Sequence, residues 1–407
     1  MSGLNSCHAR RTAGRRIILS LAAPLAIALT LVTVPAETEA QTRAEEAQAV
    51  ARVAARLEPE IRRAMLDGAI PSIAVAIADQ SGELWSAAYG ESNLWAGTPA
   101  STQTVYLIGS TFKAQSTVAL LQQMEQGKFD LDDPVHDYID YEIRGEDASD
   151  PVLFRHLLTH TSGMPVDFGP HLVWGETAPL PLDEYLRDSL RVTAPPNTAV
   201  VYSNMAYSLV AHLVERFSGV PYKTYIRANV WGPLGMSSTA FDLRPEMEER
   251  LAMPYAPDSI TGRPVATQRL KANVWPAGIT YGTIHDQARW VTFNLGDGTA
   301  GERRLLREST IEEMQRLQFP DHAGEPLSAG WGYDDPGYGL TWWTTTRGEE
   351  AYFGHSGSVP GYTAFVMGNR GRGHGVVFLT NGNAAHPHLI RLSNLAIDLM
   401  AEEMGGT

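Results

Sequence analysis

Cysteine is all but absent from the chain, Cys7 being the only one among 407 residues. A protein that loses its first forty residues would keep no thiol, which excludes a disulfide scaffold, a thiol nucleophile and a cysteine metal site. Lysine is nearly as scarce, and acidic side chains outnumber basic ones by 46 to 32, a formal net charge of −14. That balance argues against nucleic acid as a partner. Repeats, low-complexity tracts and linkers are missing too, so the chain reads as one compact unit. Long apolar runs number one. It is "IILSLAAPLAIALTLVTV", which follows the basic stretch "HARRTAGRR" and precedes the small residue Ala40 in "TEAQ".

Basic, then apolar, then small is the order of a secretory signal peptide, here residues 1–40. The expectation is a mature chain of 41–407 in the periplasm or outside the cell, with no stable membrane anchor after cleavage. A retained anchor is the competing reading, because the run is long enough to span. The remaining chain, roughly 367 residues, exceeds the size at which one core usually divides, which predicts two lobes.

Strand signals gather at the two ends. A helical pattern over 44–66 leads into "PSIAVAIAD" and "GELWSAAYG", and "YGLTWW", "EAYFGHSG", "YTAFVMGN" and "HGVVFLTNG" precede a closing amphipathic helix near 387–404. Between them the spacing predicts helices at 110–126, 151–160, 183–190, 204–217, 221–231, 284–295 and 307–317. The predicted fold is therefore α/β of the α+β kind: an antiparallel sheet built from both chain ends, flanked by helices, with a mainly helical lobe inserted. The sheet lobe takes about 41–105 and 316–407, the helical lobe about 106–315, and the cleft between them is the expected site.

Charge is lacking in one more place. Lys113 is the only Asp, Glu, Lys or Arg between Ser92 and Met124. Ser110 stands three residues earlier, near a predicted helix N-terminus, so the two share a face. An ammonium buried without a carboxylate loses its charge readily, and a neutral amine can take a serine proton. The Ser110 backbone N-H, at the positive end of the helix dipole, suits an oxyanion. Snorkelling of Lys113 to water is the structural alternative, and S-x-x-K alone is a weak motif.

Two further elements strengthen it. In "VVYSNMAYSLVAHLVERF", Tyr202 and Asn204 open an apolar helix; a phenol beside an amine can relay a proton, and an amide can hold the amine, although Asn204 or Ser203 could simply cap the helix. In "YFGHSGSVPGY", His355, Gly357 and Ser358 end an apolar strand, where a glycine would let substrate lie close and the Ser358 N-H would be a second oxyanion donor. A second H-x-G, at His322 to Gly324, lies in a polar stretch and is set aside.

In kind, order and spacing these elements resemble the serine hydrolase family of class C β-lactamases, DD-peptidases and related esterases, and "LLTHTSGMP", "GKFDLDDPV", "GPLGMSST" and "GYGLTWW" are similar to stretches of that family between about 50 and 400. The resemblance implies Ser110 as nucleophile, Lys113 as its base, Tyr202 and Asn204 as proton relay and amine holder, and His355, Gly357 and Ser358 as the third wall. No metal or organic cofactor is implied. Class C β-lactamases carry lysine, threonine and glycine where this chain has His355, Ser356 and Gly357. Esters, amides or peptidoglycan-like peptides are thus the expected substrates, with true β-lactamase activity an alternative and a non-catalytic cell-wall binding or scaffold protein another. His355 is expected to meet a substrate carboxylate and to titrate between pH 6 and 8.

Other signals read as structure. His156 and His160 at i, i+4 lack a third ligand, and His160 as a cation ending a helix is the simpler account. His386 and His388 flank Pro387 in a predicted loop and are expected to be solvated. Most of the nine tryptophans sit in apolar segments and are expected in the core, with Trp174 the candidate to line the cleft.

Overall fold

The computed structural model describes residues 36–166, 173, 177–320 and 334–404. Residues 1–35 of the signal-like segment, Trp174 and the second H-x-G lie outside the described residues. Two compact units are distinguished, Met1–Ala44 and Glu45–Thr407, and the second contains the sheet and the candidate site. No helix among the described residues is long and apolar enough to cross a membrane.

Nine strands form the main sheet: β1 Ser72–Asp79, β2 Glu83–Asn93, β3 Thr98–Pro99, β4 Phe319–Pro320, β5 Asp334–Tyr338, β6 Trp343–Arg347, β7 Glu350–Val359, β8 Tyr362–Asn369 and β9 His374–Thr380. They pair antiparallel in the order β4-β5-β6-β7-β8-β9-β1-β2-β3. The first and last parts of the chain meet at the β1–β9 ladder, where Val75 faces Phe378 and Ile73 faces Thr380. The expected sheet from both ends is therefore the observed one.

The β1 sequence explains why this strand can sit between two layers. Large β-branched Ile73, Val75 and Ile77 alternate with Ala74, Ala76 and Ala78, and all six are buried. The large set packs with Val53, Leu57 and Ile61 of helix α1 (Ala36–Asp67) and with the C-terminal helix His386–Met404. Each such side chain contributes about 1.5–3 kcal/mol on burial. The alanines face the other way and join the larger core under the helical segment; their small size leaves room for the helix Ile284–Leu295 to close on the sheet.

Three local features aim the site. A 3₁₀ turn, Gly109–Phe112, leads into helix α2 (Lys113–Glu125), with Gly109 at φ +57°. Helix α3 (Asn204–Ser218) is capped by Ser203, whose side chain accepts the Ala206 N-H at 3.2 Å, and closes on Gly219 at φ +72°. Ser203 rather than Asn204 makes the cap, which frees the Asn204 amide. The third feature departs from expectation: "YGLTWW" is not one strand. β5 stops at Tyr338 and β6 starts at Trp343, with Thr341 between them at φ +79°. An added Cβ at Gly339 would lie 2.3 Å from the Met314 carbonyl oxygen, so the chain has to turn there.

Candidate active site

Lys113 is fully buried. Its Nζ lies 2.9 Å from Ser110 Oγ, 2.8 Å from Asn204 Oδ1 and 2.7 Å from the Ala277 carbonyl oxygen. Burial alone pushes the amine well below its ordinary range. A neutral amine has two N-H donors and one lone pair. Asn204 Oδ1 and the Ala277 carbonyl can only accept, so they take both hydrogens, and the lone pair is left facing the Ser110 hydroxyl, which donates to it. Once protonated, the same nitrogen has three donors for the same three oxygens. The cage therefore suits the amine before and after it takes a proton.

Tyr202 lies within hydrogen-bonding reach of Ser110, and burial raises its phenol well above the ordinary value, so it is a neutral donor. Lys113 Nζ is 4.8 Å from the centre of its ring. Sequence reasoning thus named four side chains, Ser110, Lys113, Tyr202 and Asn204, that the fold brings to one point.

Three glycines bring three backbones to the same place. A Cβ on Gly357 would fall 2.1 Å from the Ile108 carbonyl oxygen and 3.0 Å from the Ser110 nitrogen, one on Gly109 would meet the Ser358 nitrogen at 3.0 Å, and one on Gly278 would meet the Ser110 nitrogen at 3.0 Å. The Ser110 and Ser358 backbone nitrogens are consequently brought close together beside the nucleophile, where two N-H donors would suit an oxyanion. Gly278 and the Ala277 carbonyl carried no sequence signal, since a main-chain contact leaves no side-chain pattern.

The strand wall corrects one expectation. His355, Gly357 and Ser358 do end a strand, since β7 stops at Val359, but His355 is not open to the cleft: it is fully buried, stacked on Trp343 at 5.0 Å and 6.2 Å from the Tyr202 ring. Its Nδ1-H donates to the Ser356 carbonyl at 2.5 Å, since that oxygen cannot donate. Burial is the leading cause that lowers its pKa to about 3. By strand alternation His355 shares a face with Gly357 and Val359, the face that abuts the nucleophile turn, and the Trp343 and Tyr202 rings lie against it, whereas Ser356 and Ser358 line the cleft from the other face. An imidazole held there does not titrate between pH 6 and 8 and offers a substrate carboxylate no charge.

The cleft has a volume of about 350 Å³. Its polar lining comes from Ser110, Tyr202, Asn204, Ser356, Ser358 and His386, and Val274, Ile279, Val359 and Trp343 make it otherwise apolar; among the described residues, none that lines it is an Asp, Glu, Lys or Arg. His386 also departs from expectation: it starts the C-terminal helix, is half-buried, and burial lowers its pKa. His156 and His160 are not paired on one ligand either. His156 Nδ1 accepts the Leu153 N-H and His160 Nδ1 accepts the Ser203 N-H, and burial keeps both neutral, so His160 is no helix-ending cation. Among the described residues, no group of three or more His, Cys, Asp or Glu is placed to hold a metal ion.

Comparison with known proteins bears on the family and the fold. The family model described as Beta-lactamase matches residues 45–398. Protein flp of Staphylococcus aureus (strain N315) is 22% identical over 352 residues, covering 84% of this chain; the chain spans 66% of that protein's length. Penicillin-binding protein 4 of Amycolatopsis lactamdurans is 25% identical over 321 residues, 78% of this chain and 82% of the relative. Among solved structures, the octameric penicillin-binding protein homologue from Pyrococcus abyssi is similar with a TM-score of 0.72 and 26% identity, over 86% of this chain and 77% of that one. The D-amino acid amidase from Ochrobactrum anthropi SV3 shares the fold with a TM-score of 0.70 and 20% identity, over 86% and 99%.

Proposed function

The chain belongs to the β-lactamase family, and on that footing we propose that it is an exported serine hydrolase that cleaves uncharged carboxylic esters through an acyl enzyme on Ser110. One observation carries the reading: a fully buried amine with three oxygen partners, one of them a serine hydroxyl. In acylation, Ser110 Oγ bonds to the ester carbon as its proton passes to Lys113 Nζ. The Ser110 and Ser358 N-H groups hold the oxyanion. As the carbon–alkoxide bond breaks, the alkoxide takes the Tyr202 proton, and the Lys113 ammonium restores it. Water then releases the acid by the same groups in reverse.

The substrate follows from charge. A penicillin, a cephalosporin or a peptide C-terminus brings a carboxylate, and the described residues that line the cleft offer it no fixed cation. His355 is neutral and buried, and His386 is lowered by burial. An ester lacks that carboxylate and has a better leaving group than an amide. Acid-bearing β-lactams and D-Ala-D-Ala peptides are accordingly the poorer substrates, and retention of the caged amine favours an enzyme over a non-catalytic cell-wall binding protein. Periplasmic or secreted location rests on the basic-apolar-small order of residues 1–40, and N-terminal sequencing from the native envelope should find Gln41.

The deciding assay pairs covalent labelling by a fluorophosphonate with kcat/KM for short acyl esters, D-amino acid amides, acyl-D-Ala-D-Ala and a chromogenic cephalosporin. One adduct, on Ser110, and esters cleaved fastest are expected. A cephalosporin turned over as fast as the best ester, or no adduct with any probe, overturns the reading.

A further inference from the structure

His160 takes no direct part in the chemistry above, yet it is tied to Tyr202 three ways. Its carbonyl oxygen accepts the Val201 N-H at 2.7 Å, its Nδ1 accepts the Ser203 N-H at 3.0 Å, and its ring stacks on the Tyr202 ring with centroids 4.1 Å apart and planes 29° from parallel. The two bonds fall on the residues either side of Tyr202, and the stack falls on Tyr202 itself. Neighbouring residues extend the grip: Thr161 accepts the Asn197 N-H at 2.7 Å and Gly163 accepts the Thr193 N-H at 2.8 Å. The segment 160–163 is thus a template along which residues 193–203 lie before helix α3 begins.

Two features show that this grip is held against a cost. His160 sits at φ +58°, a conformation uncommon for a residue with a side chain. It is also fully buried with its Nε2 lacking a hydrogen-bond partner among the described residues. A strained, under-satisfied side chain packed against the proton donor of a site is an observation that asks for a role. Because Nδ1 accepts from a backbone N-H, the ring must be the neutral Nε2-H tautomer, and it cannot exchange protons through Nδ1 without losing the Ser203 bond.

We propose that His160 is a positioning residue: it fixes the Tyr202 phenol beside Ser110, where it can protonate a leaving group. This rests on the ester-hydrolase reading above. Its mark is a dependence on the leaving group. A phenol held in place matters where an alkoxide must be protonated as it departs, and matters little for a nitrophenolate, which leaves without a proton.

The experiment compares an alkyl ester with the nitrophenyl ester of the same acid, with rates expressed per fluorophosphonate-titrated site. His160→Gly accepts the positive φ but supplies neither acceptor nor ring. It should lower kcat for the alkyl ester roughly 100-fold and for the nitrophenyl ester less than about 10-fold, with KM little changed. His160→Asn tolerates the same φ and can present Oδ1 near the place of Nδ1, so it should recover most of the alkyl-ester loss. In a Tyr202→Phe background, His160→Gly should cost less than about threefold more. If the glycine variant does not fold, His160→Gln replaces it, since its amide reaches the place of Nε2 and leaves Ser203 without an acceptor. Equal losses for both esters, or a full loss that persists in Tyr202→Phe, would make His160 merely structural. Failure of the wild-type chain to label or turn over any ester is a different result, and removes the ester-hydrolase reading itself.

Discussion

The two walls of the cleft supply different parts of the chain. The helix wall presents side chains, with Ser110 and Lys113 three residues apart on one face and Nζ 2.9 Å from Oγ. The strand wall presents backbone: Gly357 lies against Ile108 and Ser110, the Ser358 nitrogen lies close to Gly109, and the most ionisable side chain of the stretch, His355, is buried against Trp343 and Tyr202. A helix repeats its face at three and four residues, so a motif of that spacing converges. A strand alternates, so in H-S-G-S the histidine and the serines cannot share a face. His355 shares its face with Gly357, against the nucleophile turn, so burial rather than direction keeps it from a substrate.

Substitutions on the two walls should separate them. The largest effects belong to the helix wall: Ser110→Ala should abolish labelling, and Lys113→Ala should lower acylation by about 10³-fold or more, measured by intact mass against time. His355→Asn should change ester kcat/KM by less than about tenfold; a loss as large as that of Lys113→Ala would erase the distinction. On the strand wall, Gly357→Ala adds a Cβ 2.1 Å from the Ile108 carbonyl oxygen and forces the oxyanion donors apart. A fall in kcat of about 10²- to 10³-fold is expected, against a few-fold at most for Ser358→Ala, which keeps its N-H.

The buried histidines also predict stability. Burial is the leading cause that holds His355 to about 3 and His156 and His212 to about 4, whereas an unfolded imidazole titrates near about 6.5. Between those values the unfolded chain binds more protons than the folded one. The stability is therefore fully present above about pH 6.5 and falls as pH drops toward 4. A Tm that declines over that window is expected; a flat Tm would mean that these rings are solvated. The smallest effect is a null one. Since His355 keeps one charge state, KM for a carboxylate-bearing ester should change less than about twofold between pH 6 and 8 on its account.

The residues that sequence reading placed well are those whose neighbours lack charge or whose spacing suits a helix. Lys113 stood out because no other Asp, Glu, Lys or Arg lies between Ser92 and Met124, and Tyr202 and Asn204 because an apolar helix begins beside them. The sheet was legible in β1, whose alternation of large and small residues needs two packed faces. What stayed hidden is what a linear pattern cannot hold. Ala277 and Gly278 act through backbone brought from over 160 residues away, His160 needed its φ and its partner at Ser203, and Thr341 breaks an apolar run that reads as strand.

The central claim is that Lys113 is a neutral amine in the resting protein. The chain has only four lysines, Lys113, Lys128, Lys223 and Lys271, so ¹⁵N-lysine labelling gives a simple side-chain NMR spectrum. At pH 7.5 one Nζ signal should be that of an amine, and it should vanish in Lys113→Met. An ammonium signal at that pH that vanishes in Lys113→Met would contradict the account.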